Sequence, residues 1–531
     1  MLKRKQLSGD LRTTPISLVV GRLPMKNDNS WGIKNLQPFF PPIECLFKTE
    51  SLDSVREYGI KLNEQIVNVF GDSAVLSSTR VVQIHRKVTM LLSPFKWMKG
   101  EFGDPSMPTI SNYAKAIHSK MQSPHTAGYV GSILSVVLSQ SGCDHFPKVF
   151  GVFTGTAEKH TIDISDDYEE LSERSWFSQN IGKTFNLKLD EQQNNIIQYT
   201  RTARIPIELG ETIELDGVEH IDAIQTTEVE LGEMKPFLKN DEEECDDDDS
   251  SSVSTSYVFQ IASNTSSYDE EDEIEEDTDE PFAWATFENV PVQVTVMEQC
   301  LGTLYDLFIK HTESEKQFAW LSQIIFALAY AQRNFAFTHN DLHGNNIMYV
   351  ETVKEFLYYS HAGLNYKIPT HGYIMKIIDF DRSIGSVRLP GMKDAKVFMS
   401  DQFAVNEEAG GQYNIEPFYV PKHSVIKPNP SFDLVRLATS MFWDLFPDGP
   451  KYDGYLENPV FKLFIKWLTL EDGTSVLFHK NNPKCDRYPG FYLYKAIARY
   501  CKDTIPRKEI SELKQFIGII PLGEIPLMID I

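Results

Sequence analysis

The densest chemistry in this 531-residue chain lies in Thr338-His339-Asn340-Asp341-Leu342-His343-Gly344-Asn345-Asn346-Ile347-Met348. Further along, the apolar run Lys376-Ile377-Ile378 ends in Asp379-Phe380-Asp381. A carboxylate held on a loop can orient a hydroxyl and accept its proton, and Asp341 is the residue for that task. Asn346 and Asp379 offer an amide oxygen and a second carboxylate, hard ligands of the kind magnesium or manganese takes beside phosphate oxygens. Base, amide and carboxylate, in the order H-x-D-L-x-x-x-N and then D-F-x, are what transfer of a phosphoryl group from ATP requires.

The same stretch admits a second reading. His339 and His343 stand four apart, the spacing of two zinc ligands on one helix face. Position 340 is Asn where a metalloprotease needs a Glu base, however, and Gly344 interrupts a helix. His339 fits better within the phosphoryl-transfer set, its ring packed on the strand that carries Asp379.

Side chains of this kind must be held by regular elements, and the periodicities supply them. Thr79–Leu92 is rich in Val, Ile, Leu and Thr and reads as a strand or hairpin arm. Ala127–Ser139 has Tyr129, Val130, Ile133, Leu134, Val137 and Leu138 at helical spacing. Phe146–Phe153 reads as a short strand and Val292–Met297 as a buried one. A short helix over Thr303–Phe308 and a long one over Ser314–Gln332 then lead into the loop at His339. The chain is therefore expected to be α+β. Lys87 is the candidate strand lysine for nucleotide phosphates, with Lys96 and Lys99 as rivals.

In this combination the motifs resemble the protein-kinase superfamily, and more closely the divergent serine/threonine-kinase-like proteins of large nucleocytoplasmic DNA viruses such as iridoviruses. Met90–Pro94, Ala127–Val130, Phe146–Phe153, His339–Asn346 and Ile377–Ser383 carry the likeness, which runs from roughly residue 60 to 505. It implies a bilobal fold with a small β-rich N-lobe, a larger helical C-lobe and ATP in the cleft. It implies magnesium or manganese as cofactor and a protein substrate phosphorylated on Ser or Thr. It also makes Val296–Leu304 a hinge, in which backbone groups of Glu298 and Cys300 meet the adenine edge and Met297 is the gatekeeper. Asp433, in Ser431-Phe432-Asp433-Leu434, inherits the anchoring of the catalytic-loop backbone.

Four positions depart from that pattern. Asn340 replaces the usual Arg, which removes the partner of a phosphorylated activation loop. Asp381 replaces the last Gly of Asp-Phe-Gly. On an extended segment, residues 379 and 381 would face one side, so both carboxylates could approach one metal. The family pattern nevertheless makes Asp381→Gly tolerable. Gly131 stands where a helix Glu should pair with the lysine, and no full Gly-x-Gly-x-x-Gly precedes Lys87, where Gly71 is nearly alone. Two other functions fit such a chain: a catalytically weak pseudokinase scaffold, and a small-molecule kinase of the aminoglycoside or choline phosphotransferase type.

Composition bounds the setting. Residues 241–280 hold 18 of the 75 Asp and Glu and no Lys or Arg, so three quarters of the formal charge of −24 lies there. Such a stretch cannot bury enough apolar surface to offset the entropy of ordering, and reads as a disordered insertion. The net sign disfavours general binding to nucleic acid. Six scattered cysteines without a Cys-x-x-Cys pair suggest reduced thiols, and no apolar run approaches the length of a membrane span. The expected location is the cytoplasm or nucleus of a host cell, or a virion. Met1-Leu2-Lys3-Arg4-Lys5 reads as a solvated terminus or a nuclear-localisation signal. The expected organisation is an irregular leader over 1–55, an N-lobe over 56–300 containing the insertion, and a C-lobe over 301–531.

Overall fold

The structure, a computed structural model of the chain, describes residues 31–48, 57–102, 120–190, 282–403, 428–480 and 491–529. It also describes short pieces at 6–7, 16, 18–23, 50, 52–53, 207–208, 256–257, 260–261, 425–426, 483 and 486–488. The acidic stretch 241–280 lies outside the described residues apart from two of these pieces.

The first part of the chain is β-rich. The principal strands of its main sheet are β1 (Ile33–Gln37), β2 (Ile66–Phe70), β3 (Ser73–Leu76), β4 (Val81–Met90), β5 (Val149–Asp163), β6 (Asn186–Asp190) and β7 (Phe282–Glu298). They form one antiparallel sheet whose spine runs β2-β3-β4-β7-β5, with β1 on β5 and β6 on β7. β5 and β7 are much longer than the runs Phe146–Phe153 and Val292–Met297 suggested. Their outer halves contain Thr, Lys, Glu and His, so they lack a continuous apolar signal, yet each pairs residue by residue with the other.

Helix α1 (Pro42–Leu46) and β1 lie within the stretch expected to be an irregular leader. Ile33, Phe40 and Ile43 are buried there, and β1 pairs with β5. An element of five residues shows too little periodicity to be read, and long-range burial fixes it.

Helix α2 (Pro94–Met98) follows β4, and helix α3 (Ala127–Ser139) then crosses the sheet. The Thr126 side chain caps α3 by accepting from the Tyr129 N–H. Gly128 lets α3 approach closely, since a Cβ there would lie 3.1 Å from Gln293 Cβ and 3.4 Å from Thr89 Cβ. Ser132 Oγ bonds Thr295 Oγ1 at 2.7 Å, fastening the helix to β7.

The later part is mainly helical, with α4 (Leu304–Lys310), α5 (Ser314–Phe335), α6 (Phe432–Leu445), α7 (Pro459–Leu468) and α8 (Phe491–Tyr500). Helix α5 is buried almost all round, including Trp320, Ile325 and Leu328, as befits the centre of a core. It ends at Ala336 in the left-handed region (φ 45°), and the loop at His339 follows. Two short strands, β8 (Ile347–Glu351) and β9 (Tyr373–Ile377), pair antiparallel and flank that loop's exit and the approach to Asp379. Among the described residues, no helix is long and apolar enough to cross a membrane.

Candidate active site

The loop 338–346 and the segment 378–384 are laced together. Thr338 and Ile384 exchange backbone hydrogen bonds of 3.0 and 2.9 Å, and the Ile378 N–H donates to the Asn346 carbonyl at 3.0 Å. Asn340 Nδ2 donates to the Arg382 carbonyl at 3.0 Å, and Ser383 Oγ to the His339 carbonyl at 3.3 Å. The two motifs read separately from the sequence thus form one folded unit.

His339 is used up in that lacing. Its Nε2 lies 2.7 Å from the Ile378 carbonyl, and its Nδ1 accepts the Asp341 N–H at 3.3 Å. The Nε2–H tautomer satisfies both partners, and the ring packs edge-on against Phe337 and Phe380. His339 therefore positions the loop and is not disposed as a zinc ligand.

Asp433, at the start of α6, accepts the backbone N–H groups of His339 and Asn340 at 2.9 Å each. Burial raises its pKa, against which His339 and the two backbone donors act. Asn340 and Asp379 both have positive φ, 65° and 63°. Strain of this kind in non-Gly residues persists only where the surroundings enforce it. It also removes the premise that 379–381 is extended.

Asp341 is buried with Arg382, whose guanidinium Nη1 lies 3.4 Å from Asp341 Oδ2. A second buried guanidinium, Arg436, lies close enough to feel the charges of both Asp341 and Arg382. Burial pushes its pKa down to about 10 although Asp341 pulls it upward, so it stays charged at neutral pH. Neither arginine was foreseen. Arg382 directly follows Asp379-Phe380-Asp381, and Arg436 is one helical turn from Asp433, but nothing in their spacing marks them as neighbours of Asp341.

Asn346 Nδ2 donates to the Asp341 carbonyl at 2.9 Å and lies 3.0 Å from His343 Nε2. The carbonyl can only accept, so the amide nitrogen must face it and Oδ1 turns the other way. That is the orientation a cation ligand needs. Among the described residues, no three His, Cys, Asp or Glu side chains gather as a closed metal site. An amide oxygen and a carboxylate completed by phosphate and water suit magnesium.

Lys87 reaches the same place from β4. Its Nζ lies 2.8 Å from Oδ1 of Asp379 and 2.8 Å from Oδ1 of Asp381. Burial alone would lower its pKa, but the two carboxylates outweigh burial and raise it. Lys99 instead pairs with Glu101 and lies over Phe95 and Trp176, and Lys96 sits in α2.

At the end of β7, Met297 is buried opposite His85 of β4. Glu298 has a side-chain role the sequence did not disclose. Its Oε1 pairs with Lys376 Nζ at 2.7 Å and accepts the Lys148 N–H at 2.9 Å, joining β7, β9 and the start of β5. The Cys300 thiol is buried, which pushes its pKa up to about 12 and keeps it neutral, and its carbonyl accepts from Gln299 Nε2 at 3.0 Å. Near Gly71 a tight turn joins β2 and β3, and Asp72 pairs with Arg86 at 3.1 Å.

No family model matches the chain, and no curated protein matches it.

Proposed function

We propose that this protein is an ATP-dependent phosphotransferase of protein-kinase type, acting on Ser or Thr of a protein substrate. The observation that carries the reading is the arrival of Lys87 at 2.8 Å from Asp379, across 292 positions of sequence. A short motif can arise by chance, but its meeting with a strand lysine from a separate sheet depends on the whole fold. Further support comes from order. A hairpin, a lysine on the third strand of the spine and then a helix precede the loop, as in kinases, where the lysine lies on the third strand. The β-rich part would then be the N-lobe and the helical part the C-lobe.

Bound ATP with magnesium supplies the transferable phosphoryl group. Asn346 Oδ1 and the Asp379 carboxylate would hold the cation, and the Lys87 ammonium would meet phosphate oxygens. Asp341 takes the proton of the acceptor hydroxyl, while Asp433 and His339 keep its loop in place. The charged set as a whole favours this reading over a pseudokinase scaffold, because a binding surface needs no base, lysine and metal ligands together.

The test is incubation of the purified protein with labelled ATP, magnesium or manganese, and generic protein substrates. Label on protein is expected. Asp341→Asn should cut transfer by roughly 10²–10⁴-fold while nucleotide binding persists, since the base acts on the acceptor. Label on a small alcohol would favour the small-molecule alternative, and absence of transfer by the wild type would defeat the proposal.

A further inference from the structure

Helix α3 carries no acidic residue at all, so neither sliding nor rotation could bring a glutamate to Lys87. At Gly131, where such a residue would be sought, a Cβ would overlap Oδ1 of Asp381. The space a helix side chain would enter is thus filled by a carboxylate from the opposite side. Asp381 is clasped by two residues on one face of β4: Lys87 Nζ is 2.8 Å from its Oδ1, and Thr89 Oγ1 donates to its Oδ2 at 3.4 Å. The Lys87 and Asp381 side chains are 16% and 13% exposed, so the pair is largely but not fully shielded from water.

We infer that Asp381 is the positioning residue of Lys87, supplying from the third place of Asp379-Phe380-Asp381 the carboxylate that helix α3 lacks. This inference rests on the phosphotransferase reading and deepens it. When a nucleotide draws Asp379 toward the cation, Asp381 keeps the ammonium at the phosphates. Lysine partner and metal ligand then lie two residues apart on one segment, so movement of α3 cannot uncouple them. Together with Asn340 in place of the usual Arg, this removes helix swing and loop phosphorylation as switches for the site. It also reverses the expectation that Asp381→Gly is tolerated.

The pair can be read without activity, by acetic anhydride modification of Lys87 in the folded, nucleotide-free protein, followed by mass spectrometry. Exposed Lys462 serves as the internal reference, and thermal melts establish that each variant is folded. Asp381→Asn preserves volume and removes charge, so modification of Lys87 should rise about tenfold, the effect of losing one close opposite charge. Asp381→Gly should behave likewise and lose phosphotransfer. The double variant Gly131→Glu/Asp381→Gly returns a carboxylate from the helix side, and should restore both the protection of Lys87 and most of the transfer. Unchanged Lys87 reactivity in Asp381→Asn, or no return of protection in the double variant, overturns the assignment. If reactivity follows the expected pattern and no protein transfers phosphate, the pairing stands and the phosphotransferase reading falls.

Discussion

Asp341 illustrates how a buried charge is kept. Arg382 stands 3.4 Å away and both side chains are 3% exposed, so removing either partner leaves the other charged in a poorly solvated place. Arg382→Met should therefore destabilise the fold by about 3 kcal/mol, the lower end for breaking a buried pair because Arg436 remains nearby. Urea unfolding measures this. Repeating it in an Asp341→Asn background tests the coupling, and an equal cost in both backgrounds would mean that the two side chains do not interact. The contact between the two runs could be looked for in the sequence, because Asp341, Asn346 and Asp379 lie in contiguous stretches whose order can be read, and the structure laces those stretches together. Arg382, Arg436 and the partnership of Asp381 with Lys87 could not be read in this way, because each depends on contacts between segments that no local spacing encodes.

The elements divide in the same way. Helix α3 runs from Ala127 to Ser139 as its apolar spacing indicates, because cap and periodicity are local. The outer halves of β5 and β7 and the short strand β1 escaped notice because pairing across the sheet, not composition, makes them strands. Helix α6 is the element on which the site depends most directly. Through Asp433 its first turn holds two N–H groups of the loop, so the loop's shape is a property of the helix. Asp433→Ala leaves both donors buried without that acceptor, at a cost of about 1–3 kcal/mol for each unsatisfied group. Phosphotransfer should fall with it, whereas Asp433→Asn, which keeps one acceptor oxygen, should fall less. Equal activity of wild type and Asp433→Ala would show that the loop keeps its shape without α6.

At the scale of the molecule, the β-rich and helical parts meet through the segment between α3 and β5. The Ile377 N–H donates to the His145 carbonyl at 2.9 Å, and Tyr330 Oη donates to the Ser141 carbonyl at 2.7 Å. His145 is the centre of this junction: Nδ1 lies 2.9 Å from the Met375 carbonyl and Nε2 lies 2.6 Å from the Tyr359 hydroxyl. The carbonyl can only accept, so Nδ1 carries the proton and Nε2 accepts from Tyr359, a fully satisfied neutral ring. Burial accordingly lowers the His145 pKa to about 4, from an ordinary value of 6.5. Between those two values the unfolded chain binds a proton that the folded chain refuses, so stability falls as pH falls through this window and levels off below it. The loss attributable to His145 is about 1.4 kcal/mol per pH unit and about 3 kcal/mol in total. His160, pushed by burial to about 4 on strand β5, adds a second contribution of the same sign. Asn at position 145 can still donate to Met375 but cannot titrate. His145→Asn should be less stable than wild type at pH 7, and its unfolding free energy should decline less steeply from pH 6.5 to 4, by the slope given for one group. Groups that titrate in both proteins cancel in the difference of slopes. Equal slopes would show that His145 takes up its proton in the folded state as readily as in the unfolded one, and that acid sensitivity lies elsewhere than at this junction.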